Sequence, residues 1–328
     1  MKPITSFALL CAFAAVAQGA VTDPVGYITH DIAGDVATGA DTYLGPVLTK
    51  PVDFASETTV SPSGLTTLTF AGGVPTGLDG SSYLEITSGT QEGWWSQIVS
   101  STATTIVISD EVPSLTGNVT VKVRKLVTVG DFLGDNLPGL GDDSGQPDEV
   151  VLLDPVTQVG KTIVYSVPPN TSPADWVDFV SYESASGDYI FPGTAIVIRN
   201  YCAPKSFVST GSVKTGATQV DVFPGDNLIA FPYAVGNTFN ASNIALQIVD
   251  DTNPVPDEVI ALSAEQVGTT YVASNTAPSG PPVNEMVDFV TYNPEGLTVI
   301  LEGSGLVFRR SAEVDGSTLT FPAQVIAE

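Results

Sequence analysis

The chain has 328 residues, enough for two or three domains at roughly 100–200 residues each and for a core that needs no metal or disulfide staple. Its 36 acidic and 11 basic residues leave a net charge of -25, a field that repels phosphate backbones and argues against a nucleic acid partner. Only 14% of residues are charged and the mean hydropathy is +0.22, which sets the chain apart from disordered sequences.

Residues 1–19 place Lys2 before an apolar run from Phe7 to Val16 and then Ala17-Gln18-Gly19. That order predicts a secretory signal peptide cleaved before Ala20, and so export to the periplasm, the outer surface or the medium. Cys11 lies inside the apolar run after Leu10, which does not fit a lipoprotein cleavage site. No later apolar run is long enough for a helix across a bilayer, so no transmembrane segment is expected in the mature chain. Beyond the leader only Cys202 remains, which rules out an intrachain disulfide.

The rest of the chain reads as strands. His30 falls in the first of them and is expected to face solvent. Further strands are predicted at Thr66–Phe70, Thr105–Ser109, Val119–Val123, Thr194–Ile198, Gln219–Phe223 and Leu297–Leu301, from period-2 or short apolar runs bounded by Gly, Pro, Asp and Ser. Short helical turns are expected at Val129–Leu133 and Ala241–Ile248. The fold class is all-β, as sandwich or barrel-like units.

An internal repeat runs through the second half. Asp148-Glu149-Val150-Val151 returns as Asp257-Glu258-Val259-Ile260, and Gln158-Val159-Gly160 as Gln266-Val267-Gly268. Val177-Asp178-Phe179-Val180 returns as Val287-Asp288-Phe289-Val290, Tyr182 as Tyr292, and Arg199 as Arg309, all at offsets of 108–110 residues. Near-constant spacing points to two duplicated units. Two alignments of their starts compete. One pairs Asp41 with Asp226, so that the first unit is 20–52 plus 126–205, a small β-domain at 53–125 is inserted in it, and the second unit is 206–328. The other pairs Gly134-Asp135-Asn136-Leu137 with Gly225-Asp226-Asn227-Leu228 and makes a plain three-domain tandem.

Chemistry is thinly signalled. With a single histidine and no Gly-x-Ser-x-Gly segment, nucleophile-plus-His catalysis has little support, and one His with one Cys does not make a zinc site. Asp178 and Asp288 are the carboxylates a glycan hydrolase or lyase would use, but their recurrence points to turn capping. Acidic turns are the candidate calcium ligands: Asp142, Asp143 and Asp148 in one unit, Asp250, Asp251 and Asp257 in the other, because calcium takes clustered loop oxygens. Adjacent Trp94 and Trp95 would face opposite sides of a strand, so one enters a core and the other covers a neighbour or contacts a ligand. Trp176, Tyr182 and Tyr292 are expected in the repeated cores.

Four stretches carry a family resemblance: Asp23-Pro24-Val25-Gly26-Tyr27-Ile28, Ser88-Gly89 with Glu92-Gly93-Trp94, Thr128-Val129-Gly130-Asp131-Phe132-Leu133, and Gly211–Pro232. Together they resemble an uncharacterised secreted family restricted to Verrucomicrobia and Planctomycetes. The resemblance implies export and a multi-unit layout, and brings no activity, catalytic residue or cofactor with it. The function expected is a noncatalytic secreted or envelope-associated structural or adhesive β-protein, through self-association. The alternatives are a carbohydrate-binding module protein contacting surface polysaccharide through Trp94 or Trp95, and a carboxylate-dependent glycan hydrolase or lyase.

Overall fold

A computed structural model describes residues 23–59, 62–115, 117–134, 137, 140–262, 267–275, 284–312 and 316–323. The leader at 1–19 and the Asp135–Asn136 part of the second alignment lie outside the described residues. The chain is all-β: strands with two short α-helices and one 3-10 turn, every strand pairing antiparallel among the described residues. No helix among the described residues is long and apolar enough to cross a membrane.

Two five-stranded sheets match strand for strand. The first runs Asp175–Asp178, Val159–Ser166, Glu149–Asp154, Ile196–Asn200, Ala40–Leu44. The second runs Glu285–Asp288, Gly268–Ser274, Glu258–Leu262, Gly305–Arg310, Gly225–Ala230. Registers agree as well as order. Val150 faces Ile163 as Val259 faces Tyr271, and Tyr165 faces Trp176 as Ala273 faces Met286. Asp41 faces Arg199 as Asp226 faces Arg309. Each arginine ties three strands through their carboxylates: Arg199 to Asp41 at 2.8 Å and Glu149 at 3.5 Å, Arg309 to Asp226 at 2.8 Å and Glu258 at 3.1 Å. Alternation explains the cores beneath. Val150, Ile163, Trp176 and Ile198 point into one cluster, Val259, Tyr271, Met286 and Phe308 into another.

The seam between the sheets is reciprocal. Leu44 bridges Ser304 while Ile229 bridges Thr194, and Gly45 N–H donates to the Gly303 carbonyl while Ala230 N–H donates to that of Gly193. Backbones approach this closely because the seam is built of small residues. A Cβ on Gly45 would lie 2.6 Å from that of Ala230, and one on Gly305 would lie 2.8 Å from that of Ala195.

Residues 52–125 form a six-stranded sheet with a core of its own, around Leu68, Phe70, Leu84, Ile86, Ile98 and Val123. It enters between Ala40–Leu44 and the Val127–Thr128 strand, where the second sheet has only the link 231–236 between Gly225–Ala230 and Asn237–Thr238. Charge anchors it. Buried Arg124 pairs with Asp23, Lys122 Nζ lies 2.7 Å from the same carboxylate, and Lys214 Nζ lies 2.5 Å from buried Glu85.

Thr218–Val222 pairs with Ser317–Phe321, and a long ribbon sets Val25–Ile32 on Lys205–Val213, with Leu48–Thr49 beyond it. It overturns one expectation. His30 is buried, with Nε2 2.8 Å from Ser209 Oγ and the ring stacked on Phe207. Ile28, His30 and Ile32 share the inward face of their strand, an alternation present in the sequence itself. Burial pushes the His30 pKa down to about 4.

Candidate functional site

The repeated Asp178 and Asp288 each shape a tight turn at the outer edge of a sheet. Asp178 Oδ1 accepts from Val180 N–H at 2.9 Å and Ser181 N–H at 2.7 Å; Asp288 Oδ1 accepts from Val290 N–H at 3.0 Å and Thr291 N–H at 2.7 Å. Those backbone donors, that of Ser181 or Thr291 foremost, hold both carboxyls below the usual carboxylate range. The turns close on Tyr182 and Tyr292 at φ 57° and 55°, a left-handed conformation that side chains other than Gly, Asn and Asp seldom adopt. Each carboxylate serves its own turn.

The consequence is an exposed apolar tip, made twice. Phe179, Val180 and Tyr182 stand out on the first sheet and Phe289, Val290 and Tyr292 on the second, with Val180 88% and Val290 84% exposed. Tyr182 and Tyr292 were expected in the cores; the left-handed turn carries them out, whereas Trp176 is buried and donates from Nε1 to the Gly134 carbonyl at 2.8 Å. The tips were present in the sequence as an Asp followed by Phe, Val, Ser or Thr, and Tyr. Their exposure was missed because apolar residues after a strand read as more strand.

The acidic turns engage their oxygens with donors of the same chain. Asp142 Oδ1 accepts from Ser144 N–H and Asp250 Oδ1 from Thr252 N–H. Asp143 Oδ2 takes the Ser166 hydroxyl at 2.6 Å, as Asp251 Oδ2 takes that of Ser274 at 2.7 Å. Partial burial works to raise the Asp143 pKa, but hydrogen bonds from Ser166, Val167 and Asn170 outweigh it and hold the carboxyl low. Asp148 and Asp257 are buried pins. The first accepts from Gly141 and Tyr201 N–H at 2.6 and 2.5 Å, the second from Val249 and Ser311 N–H at 2.9 Å each and from Arg310 at 2.9 Å. Among the described residues no three His, Cys, Asp or Glu side chains are grouped to hold a metal ion.

Trp94 and Trp95, at the start of the Trp95–Ser101 strand, part to opposite sides. Trp94 packs against the core of the 52–125 sheet, and Trp95 stacks on Phe191, just after the Tyr189–Ile190 strand, with centroids 5.8 Å apart. Trp95 is thus a docking residue between two parts of one chain. An open groove of about 750 Å³ lies along the seam, with Tyr43, Leu262, Val299, Leu301 and Leu306 among its walls and Lys205 at its side. Free Cys202 is half-buried.

Comparison with family models, with curated proteins and with solved structures gives no match for this chain.

Proposed function

We infer that the protein is a noncatalytic, exported β-protein of the envelope or extracellular space, structural or adhesive, acting through self-association. The observation that supports this most is the pair of exposed apolar tips at 179–182 and 289–292. Clustered apolar residues held out by a rigid turn are a contact surface rather than a packing accident, and two such tips at opposite outer edges suit a molecule that meets neighbours on two sides. We read the chain as two copies of one unit, the first at 20–52 plus 126–205 and interrupted by 53–125, the second at 206–328. The shared strand order, register and reciprocal seam support that reading.

The test is the light-scattering mass of residues 20–328 beside a Val180→Lys, Val290→Lys double variant. Both valines are solvent-exposed, so the variant should melt like the wild type. The reading expects multimers in the wild type and a marked loss of mass in the variant. Unchanged assembly in the variant removes the tips from the contact.

A further inference from the structure

The 52–125 sheet meets the ribbon through charge, around a polar cavity of about 230 Å³ lined by Glu85, Glu92, Lys122, Arg124 and Lys214. The three cations are engaged: Lys122 and Arg124 with Asp23, Lys214 with buried Glu85. None of them pairs with Glu92, whose Oε1 accepts from Ala217 N–H at 3.1 Å. Arg124 is 1% exposed, and its Nε is buried without a hydrogen bond, 3.9 Å from Glu85 Oε2. A buried charged donor without an acceptor is costly. The cavity thus has room for one more cation, at Glu92, and for one acceptor oxygen, at Arg124.

The ribbon leads to that cavity. Val25 pairs with Ser212, and before it the Pro24 carbonyl accepts from Val213 N–H at 2.7 Å. The second strand of the ribbon ends at Val213, but the order along the two chains continues. The next places set Asp23 beside Lys214, Thr22 beside Thr215 and Val21 beside Gly216, and Lys214, Thr215 and Gly216 all line the cavity. One place further sets Ala20 beside Ala217, the residue that donates to Glu92. Asp23 itself already holds the cavity's Lys122 and Arg124, so the chain before it starts at the rim. Three extended residues reach about 10 Å. Cleavage before Ala20 leaves an α-ammonium at their end.

We propose that this cavity is the seat of the mature amino terminus: Ala20–Thr22 enters it, the α-ammonium pairs with Glu92, and a backbone carbonyl of the segment accepts from Arg124 Nε. Charge complementarity selects this occupant. A free anion would suit Arg124 but meet Glu85 and Glu92, and a free cation would meet three cations and bring no acceptor. A chain terminus brings an ammonium and carbonyl oxygens together. The contact exists only after cleavage, because in the precursor the nitrogen of Ala20 is an uncharged amide. Leader removal then ties the 52–125 sheet, which carries Glu92 and Arg124, to the first strand of the ribbon. This proposal rests on the reading of export above, which supplies the cleavage before Ala20.

The test separates the cut from the seat. The full chain is expressed with its leader in a Gram-negative-type host, and mass spectrometry of the exported protein locates its first residue. A leader left uncut, or cut elsewhere, removes the cleavage reading and the proposal with it. On residues 20–328, the rate of α-amine acylation near neutral pH is then compared with that of the peptide Ala-Val-Thr-Asp. The wild-type amine should react at least tenfold more slowly than the peptide. In Glu92→Gln, with far-UV circular dichroism to confirm the fold, it should react at nearly the peptide's rate. A form carrying Gly-Ser before Ala20 keeps every native side chain but moves the ammonium away, and its amides at 215–217 should exchange at least tenfold faster than in the wild type. A wild-type amine as fast as the peptide, or slowing that Glu92→Gln leaves intact, overturns the proposal and leaves export standing. If Glu92→Gln does not fold, the Gly-Ser form decides, and unchanged exchange at 215–217 overturns the proposal.

Discussion

His30 is the chain's single histidine, and burial beside Phe132 and Phe207 pushes its pKa from 6.5 to about 4. The unfolded chain therefore binds this proton at a higher pH than the folded protein does. Its contribution is fully present above about pH 6.5, declines as pH falls towards about 4, and levels off below that. The gap corresponds to a stability change on the order of 3 kcal/mol. Thermal melts should fall across that window in the wild type and fall less in His30→Gln; parallel slopes would contradict the burial argument. Below it, the capping carboxyls of Asp178 and Asp288 lose their share as pH drops through their lowered values. The buried pins give a second residue-level expectation. Asp257→Ala leaves Arg310 without its carboxylate in a buried site, at about 3–5 kcal/mol. Asp148→Ala leaves Lys205, whose Nζ is 3.7 Å away, and a lysine can swing its charge to water. Urea midpoints should rank Asp257→Ala below Asp148→Ala, and the reverse order would count against the pairing described.

Among elements, the seam is the most exacting. Gly45→Ala would press a methyl against Ala230 at 2.6 Å, and overpacking of this kind costs about 1–3 kcal/mol. A melt unchanged by Gly45→Ala would show that the seam gives way. How much of this was legible depends on range. The helix at Val129–Leu133 was readable because its determinants are adjacent: Thr128 and Asp131 exchange hydrogen bonds as a capping box. The strands at Thr105–Ile108 and Thr218–Val222 were readable from alternation. The ribbon was not, since it pairs His30 with Phe207 across most of the chain, and local pattern carries no information about such partners. The acidic residues were legible as turn formers, but the hydroxyls of Ser166 and Ser274 that reach Asp143 and Asp251 come from the next strand. The apolar run Leu297–Leu301 reads as one strand, yet only Val299–Ile300 pairs and Leu297 sits in a turn, a break that apolar content alone does not signal.

For the whole molecule, net charge and apolar surface act against each other. A charge of -25 drives copies apart, while the contact proposed at the apolar tips carries no charge at its centre. Salt screens the first and leaves the second nearly untouched, since the Debye length falls from about 10 Å at 0.1 M to about 3 Å at 1 M. Assembly through these surfaces must therefore strengthen with salt, whereas assembly through ion pairs would weaken. The most direct measurement is the light-scattering mass of residues 20–328 over a range of protein concentrations in low and high salt. The account predicts a mass above the monomer that rises with concentration and rises further in high salt. A monomer throughout, or assembly that salt dissolves, would contradict it.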